Sequence, residues 1–172
     1  RTINDAPLPG QALVVLDPQL RLAIDVFPCE DGHAQDRSLL PQVLETVEPL
    51  DLWIADRNFC TIGFLLGIAA QGARFVIRQH GQMPYELSGK RKRIGKTETG
   101  VVYEQSVCIR EATGNATTIR RITVELYEPT RDGDQEMHIL TNLPKRVGAV
   151  RVAELYRGRW TIETAFQELA QN

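Results

Sequence analysis

The sequence predicts an α/β protein whose mixed sheet is flanked by helices and carries a β-rich insertion before the last helix. Three patterns support this fold class. Two apolar runs within residues 11–27 are separated by a turn signal, which is typical of a β-hairpin. Residues 52–79 have the pattern of a strand, a helix and a second strand. Residues 81–143 alternate between apolar runs and turn residues, without a helical period.

The first elements precede the strand-helix-strand unit. Apolar runs on either side of Asp17-Pro18-Gln19 predict the two strands of the hairpin at 11–27. Asp36 then has the residue type and the position of a helix N-cap. The helix that follows it carries apolar residues at helical intervals, namely Leu39, Leu40, Val43, Leu44 and Val47.

The strand-helix-strand unit predicts the centre of the sheet. Its first strand, Leu52–Ala55, is a continuous apolar run that we expect to be buried on both faces, and it ends in Asp56-Arg57-Asn58. Residues 61–71 form an apolar helix closed by Gly72, and residues 73–79 form the next strand. Such a connection places the two strands parallel to each other. Asp56 should therefore lie at the carboxyl end of a central strand.

The chain divides into three predicted parts. Residues 1–80 form the first part of the core, residues 81–143 form the insertion, and residues 144–172 form a C-terminal core helix that begins near Val147. This order becomes the ribonuclease-H-like order if one more strand lies just upstream of Arg1. Because the chain opens without Met and ends within a helical pattern, we expect it to be a fragment. In such sheets, chemistry gathers outside the carboxyl ends of the parallel strands.

The last helix combines an apolar stripe with a polar face. The stripe consists of Leu155, Ile162, Phe166 and Leu169, which recur at helical spacing and should face the core. Beside this stripe, along the rim of the buried face, three polar groups lie three and four residues apart: Tyr156, Arg159 and Glu163. A helix packed beside the strand edge could bring Glu163 close to Asp56.

Composition narrows the class of protein. A chain of 172 residues with 42% hydrophobic content can bury one good core. The formal charge of −2 implies that any affinity for nucleic acid comes from local patches. The odd number of cysteines, three in all, favours reduced thiols and a cytoplasmic protein. Cys29, His33 and Cys60 do not form a zinc motif, because the spacing of Cys29 and His33 lacks a second pair of ligands. We expect no membrane association, because no apolar run reaches the roughly 20 residues of a membrane span.

Two carboxylates at a strand end suit a particular chemistry. Asp56 and Glu163 would form a hard oxygen site for Mg²⁺ or Mn²⁺. Two such ions, about 4 Å apart, can activate a water or a 3′-hydroxyl for in-line displacement at phosphorus. A third carboxylate is usually needed. Neither Asp17 nor Asp25 is well placed to supply it, so we expect it on the strand upstream of Arg1.

These residues also carry a family resemblance. The segment "ADRNF" at 55–59, followed far downstream by Tyr156, two residues, Arg159, three residues and Glu163, resembles the DDE transposases of the insertion-sequence-four family. Their signature is Tyr-x2-Arg-x3-Glu-x6-Lys, and a β-rich insertion separates their second Asp from their Glu. The lysine position is Ala170 here, and Met137 stands where some members carry a Trp.

The resemblance implies a catalytic domain that uses Mg²⁺ or Mn²⁺ to cleave double-stranded DNA at transposon ends and to join it to target DNA. It also implies a homodimer in a synaptic complex, with the protein bound to the nucleoid while it acts on DNA. The first Asp of the catalytic triad would lie outside this chain, so we expect the fragment alone to be inactive.

The predicted roles follow residue by residue. Asp56 and Glu163 are the expected catalytic metal ligands, Arg159 the phosphate contact, and Tyr156 a backbone or base-stacking contact. Further DNA contacts are expected from single residues around the site and from a basic run: Arg57, Arg78, Arg157, Trp160, Lys90, Arg91, Lys92 and Arg93.

Each feature also has a plainer interpretation. Asp56 could be a turn residue that caps the next helix. Tyr156 and Trp160 could be partial core residues rather than DNA contacts. Arg159 and Glu163 could form an ordinary ion pair on a helix face, and the basic run at 90–93 could be a solvated hairpin tip. Two other functions remain open: a catalytically dead DNA-binding remnant, and another ribonuclease-H-like nuclease such as a junction resolvase. The large β-rich insertion argues against the resolvase.

Overall fold

The computed structural model describes residues 11–17, 22–29 and 36–170; side chains are described from residue 37 to residue 159 and at Val15, Phe27 and Pro28. The turn at Pro18-Gln19 and His33 therefore lie outside the described residues. The side chains of Asp36 and Cys29 also lie outside them.

The order of elements follows the sequence prediction closely. The helices are α1 (Leu40–Glu45), α2 (Ile62–Ala70) and α3 (Ala149–Ala170), with short 3₁₀ helices at Asp36–Leu39 and Arg57–Phe59. The strands are β1 (Gln11–Asp17), β2 (Leu22–Cys29), β3 (Leu52–Ala55), β4 (Arg74–Arg78), β5 (Glu86–Leu87), β6 (Lys92–Lys96), β7 (Gly100–Arg110), β8 (Ala116–Leu126) and β9 (Glu136–Thr141).

The strands form two sheets. β1 and β2 make an antiparallel hairpin, as predicted. The other strands form a seven-stranded sheet in the order β3-β4-β9-β8-β7-β5, with β6 also paired to β7. β3 and β4 are parallel, and all other pairs in this sheet are antiparallel. The predicted α/β class with a mixed sheet is confirmed.

The position of β3 differs from the prediction. In the described part of the chain β3 pairs only with β4, so it lies at the end of the sheet rather than at its centre. Leu52 is 40% exposed, and the expectation of a strand buried on both faces is therefore wrong for β3. Its neighbour β4 has the expected burial, with Phe75, Val76 and Ile77 fully enclosed. A continuous apolar run does not distinguish a central strand from an edge strand when helices cover both faces.

The strands of the predicted insertion continue the core sheet. β9 pairs with β4 through Val76, Ile77 and Arg78, so the long β7-β8-β9 meander extends the parallel pair sideways. The division at residues 81 and 143 remains a prediction. Because successive side chains of a strand face opposite sides, the sheet presents two apolar faces to two groups of helices.

Each face of the sheet has its own core. On one face, α1 and α2 pack through Val43, Phe64, Leu65 and Ile68 against β4 and the far ends of β7 and β8. On the other face, α3 packs through Val152, Ala153 and Tyr156. The sheet residues beneath α3 are Val76, Val102, Ile122, Val124, Met137 and Ile139. Among the described residues, no helix combines the length and the apolar character that crossing a membrane requires.

The helix predicted from Asp36 is divided. A 3₁₀ turn at Asp36–Leu39 leads into α1, whose N-cap, Leu39, makes no side-chain cap hydrogen bond. α1 ends at Glu45, and Val47 lies beyond that end although it is buried. The predicted α2 is confirmed: Thr61 Oγ1 accepts a hydrogen bond from Phe64 N at 3.2 Å, and Gly72 follows the helix with φ +74°.

α1 and α2 pack closely at Gly67. A Cβ at this position would meet Leu44 Cδ1 at 2.7 Å, whereas a Cβ at Gly63 would meet nothing within 4 Å. We expect Gly67→Val to destabilise the protein by about 1–3 kcal/mol through overpacking. Gly63→Ala should stabilise it by about 0.5–1 kcal/mol through helix propensity. Urea unfolding of both variants checks this, and equal midpoints would contradict the close contact.

The start of α3 is held to the sheet by Arg120 on β8. This side chain is 10% exposed and pairs with Glu104 Oε1 at 2.6 Å. Its Nη1 donates to the carbonyl oxygens of Leu143, Pro144 and Val147 at 3.1, 3.1 and 2.9 Å. Because this turn connects β9 to α3, Arg120 sets where the helix begins over the sheet.

The predicted stripe on α3 is only partly observed. Leu155 is half-buried, and the side chains of Ile162, Phe166 and Leu169 lie outside the described residues. Tyr156, predicted at the rim, is fully buried and belongs to the core beneath α3. Among the described side chains, Tyr156 is therefore more deeply buried than Leu155, and the rest of the stripe remains a prediction.

Candidate active site

Asp56 lies directly after β3, at the carboxyl end of the parallel pair, as predicted. Its Oδ1 accepts a hydrogen bond from Arg57 N at 2.6 Å and caps the 3₁₀ helix Arg57–Phe59. The plainer interpretation is therefore confirmed in one respect: Asp56 caps the helical turn that follows β3. The cap uses Oδ1 alone, so it leaves the second oxygen available for other contacts.

Tyr156 links α3 to this strand end. Its hydroxyl donates to Asp56 Oδ1 across 3.4 Å, between residues one hundred positions apart in the sequence. Burial raises the pKa of the Tyr156 hydroxyl to about 12, so the group stays protonated and can donate. The ring is fully buried in this structure, and the hydroxyl contacts Asp56. The DNA contact predicted for Tyr156, to the backbone or by base stacking, remains a prediction.

Arg159 lies one turn further along α3 and faces the same carboxylate. Its Nη2 is 3.9 Å from Asp56 Oδ1 and 3.5 Å from the Tyr156 hydroxyl, and its Cζ lies 5.3 Å from the centre of the Tyr156 ring. Its side chain is 17% exposed. The fork of a guanidinium suits bidentate binding of a phosphate. Arg159 is thus held beside Asp56 at the edge of solvent.

Asp56 and Arg159 line an open cleft of about 820 Å³ at this edge of the sheet. The cleft lies between the turn after β3, the loop from β8 to β9, the turn before β7, and α3. The apolar part of its lining includes Met137, Val124 and Ala153. The charged lining residues are Asp56, Arg57, Arg78, Glu98, Glu128, Arg131, Asp132, Arg157 and Arg159.

Three of the predicted DNA-contacting arginines have carboxylate partners around this cleft. Arg57 pairs with Asp132 at 3.2 Å and with Asp134 at 3.6 Å. Arg78, at the end of β4, pairs with Asp134 at 2.7 Å. On the opposite wall, Arg157 Nη2 lies 2.5 Å from Glu98 Oε2.

The basic run lies outside the cleft. Lys90, Lys92 and Arg93 are exposed. Arg91 lies over the Tyr103 ring at 4.1 Å and pairs with Glu136 at 2.8 Å. Tyr103 follows Val102 in β7, so it occupies the sheet face opposite α3. The structure does not bring these four residues to Asp56, and their DNA contact remains a prediction.

Glu163 lies on α3 four residues after Arg159, about 6 Å further along a continuous helix. Its side chain, and that of Trp160, lie outside the described residues. Within the ranges that the structure describes, no group of three or more His, Cys, Asp or Glu side chains is arranged to hold a metal.

Asp56 has the properties of a metal ligand. Its contacts in the described part of the chain all use Oδ1. Its side chain is 33% exposed, and it lines the cleft. Mg²⁺ needs only one or two protein carboxylates when waters and phosphate oxygens complete its shell. A carboxylate with Oδ2 left over, beside an open cleft, fits that requirement.

Sequence reasoning missed the acidic partners of the arginines. Asp132 and Asp134 lie 75 and 56 residues from Arg57 and Arg78, respectively, in a Gly- and Asp-rich loop that has the composition of any turn. Glu98 lies in a similar turn before β7. No local pattern marks these residues, because their role depends on which loops meet at the cleft.

The mixed sheet is covered by helices, and a carboxylate at the end of its parallel strand faces an arginine of the last helix; this arrangement is consistent with a ribonuclease-H-like domain. The chain belongs to the transposase DDE domain family, whose model matches residues 11–172. It is also 31% identical, over 124 residues, to a Sinorhizobium fredii protein named "Putative transposase y4zB". That match covers 70% of this chain and 33% of the relative, so the chain spans about a third of the relative's length.

Proposed function

We propose that this domain cleaves DNA at transposon ends and that the resulting 3′-hydroxyl attacks a phosphodiester of target DNA, from which the target 3′-oxygen leaves, with Asp56 and Glu163 holding a divalent cation. One observation carries the proposal. Tyr156 of the signature helix reaches Asp56 across one hundred residues of sequence, and Arg159 of the same helix lines one cleft with Asp56. The family match supports the reaction class. The specific insertion-sequence-four family remains part of this proposal.

Each residue has a distinct task in the proposed reaction. Tyr156 donates to Asp56 Oδ1 and so helps to fix the orientation of the carboxylate at the edge of the cleft. Arg159 binds a non-bridging oxygen of the scissile phosphate and offsets the charge that develops there. Mg²⁺ or Mn²⁺, when bound, would act as a Lewis acid and would activate the attacking oxygen. Asp56 and Glu163 are the residues that would hold the cation.

The substrate and the assembly follow from the same proposal. Double-stranded DNA is the expected partner, and the phosphate backbone would lie along the arginines of the cleft. Two copies, one for each transposon end, would meet in a synaptic complex. A cytoplasmic, nucleoid-bound location fits this partner. A third carboxylate is still required for the complete catalytic triad.

Calorimetric titration with Mn²⁺, in the presence of a short duplex that supplies phosphate ligands, tests the metal site. We expect Asp56→Asn to weaken metal binding at least about tenfold, because one charged oxygen ligand is lost. Glu45→Gln, an exposed carboxylate on α1 outside the cleft, is the matched control and should bind as the parent protein does. Equal binding by Asp56→Asn would exclude Asp56 as a ligand.

A further inference from the structure

We propose that the β8–β9 loop competes with DNA for the cleft: Asp132 and Asp134 occupy the phosphate positions on Arg57 and Arg78 until a DNA backbone displaces them. This inference rests on the proposed function, since it concerns how the same cleft is regulated. It adds an autoinhibitory contact that is built into the fold.

The geometry of the ion pairs resembles phosphate binding. Asp134 Oδ2 lies between the two guanidinium groups, at 2.7 Å from Arg78 Nη2 and 3.6 Å from Arg57 Nη1. Asp132 Oδ2 lies 3.2 Å from Arg57 Nη2. Arginine forks bind carboxylates and phosphates with the same planar arrangement of donors. Arg57 directly follows Asp56, so a phosphate in this position would lie next to the proposed metal ligand.

The tip of the loop is closed on itself. Thr130 N donates to Asp134 O at 2.9 Å, Gly133 N donates to Thr130 O at 2.8 Å, and Asp134 N donates to Thr130 Oγ1 at 3.0 Å. Gly133 takes the left-handed φ of +86° that this tight turn requires. In the described part of the chain, the polar contacts from residues 130–134 to other elements are the ion pairs with Arg57 and Arg78. The tip is therefore held together by its own hydrogen bonds and is attached to Arg57 and Arg78 by side-chain ion pairs.

Burial explains why Arg78 needs a carboxylate partner in the absence of DNA. The Arg78 side chain is only 12% exposed, and a guanidinium at that depth is destabilising when it is unpaired. Asp134 satisfies it in the free protein, and a phosphate could do the same in the complex. The Arg57–Asp132 pair is different, because its side chains are 40% and 61% exposed. Such a solvated pair is weak, so a polyanion can displace it readily.

The test measures binding of a fluorescent 20-base-pair duplex in EDTA at about 0.1 M salt, where phosphate contacts dominate affinity. We expect Asp132→Asn and Asp134→Asn to tighten binding about threefold to tenfold, because the internal competitor is weakened. Asp51→Asn removes the same charge before β3, away from the cleft, and should change affinity less than twofold. Asp134→Asn could destabilise the protein through Arg78, so Asp132→Asn is the decisive variant, with its melting temperature measured alongside.

A double-mutant cycle tests whether the effect passes through Arg57. In the Arg57→Gln background, Asp132→Asn should no longer tighten binding, since its partner is absent. Equal affinities for the parent protein, Asp132→Asn and Asp51→Asn would overturn the competition while leaving the proposed function intact. Failure of every form to bind the duplex, even at low salt, would overturn the proposed function and this inference together.

Discussion

Replacing Asp56 by Asn is expected to lower the rate of DNA strand cleavage at least about a thousandfold, equivalent to ~4 kcal/mol of transition-state stabilisation. The substitution keeps the size of the side chain and an oxygen that can cap Arg57 N, but it removes the charge that would hold a divalent cation. Glu163→Gln should have the same effect if Glu163 is the second ligand. The measurement is gel analysis of a labelled transposon-end duplex, with a form of the protein that carries all three carboxylates of the triad.

DNA affinity separates loss of chemistry from loss of binding. Both variants should bind the duplex at least as tightly as the parent protein, because each removes a negative charge from a site that faces phosphates. Cleavage by Asp56→Asn at more than a tenth of the parent rate would remove Asp56 from the catalytic machinery. Cleavage by Glu163→Gln at more than a tenth of the parent rate would likewise exclude Glu163 from the catalytic machinery.

Replacing Tyr156 by Ala is expected to destabilise the protein by about 3–5 kcal/mol and to lower the melting temperature by about 6–20 °C. The reason is that the ring is fully buried and is among the largest side chains enclosed beneath α3. Its removal leaves a cavity between α3 and the sheet. Thermal unfolding followed by circular dichroism measures the effect, and a stability equal to that of the parent protein would contradict the core position of the ring.

Tyr156→Phe is the matched variant, because it keeps the ring and removes only the hydroxyl. It should cost about 0.5–1.5 kcal/mol of stability, the usual contribution of one hydrogen bond. We also expect weaker Mn²⁺ binding, since the hydroxyl that orients Asp56 Oδ1 is lost. If Tyr156→Phe binds Mn²⁺ as the parent protein does, the contact with Asp56 serves packing alone.

Much of the fold could be predicted because local patterns determine local structure. The alternating strands, the apolar helix with its Thr61 cap and Gly72 end, and the long last helix all follow from periodicity and cap residues. The position of Asp56 at a strand end follows from the abrupt change from apolar to charged residues. The two-part signature, Asp56 with Tyr156, Arg159 and Glu163, predicted a DDE transposase, and the transposase DDE domain model matches the chain; the narrower insertion-sequence-four family remains a prediction.

Other features could not be predicted, because they depend on how a helix is rotated against the sheet and on which strand lies at the edge of the sheet. Whether Tyr156 faces the core or its rim depends on how α3 is rotated about its axis. Consecutive side chains point in directions about 100° apart around that axis. Polar and apolar residues are interleaved along α3, so the spacing of the stripe that begins at Leu155 does not determine whether Tyr156 lies in the core or at its rim. The edge position of β3 likewise depends on which strands pair, which its own four residues do not specify.

The sequence by itself determined the order of the elements, the acidic end of β3, the signature helix and, through them, the family. Only the tertiary structure decided that Tyr156 contacts Asp56 from the core and that the basic run at 90–93 lies away from the cleft. It also decided that Asp132 and Asp134 pair with Arg57 and Arg78. The physical reason is the separation in sequence between the residues that interact. Helix and strand patterns arise from neighbours within a few residues, whereas the charges of a cleft are paired by loops that only the folded sheet brings together.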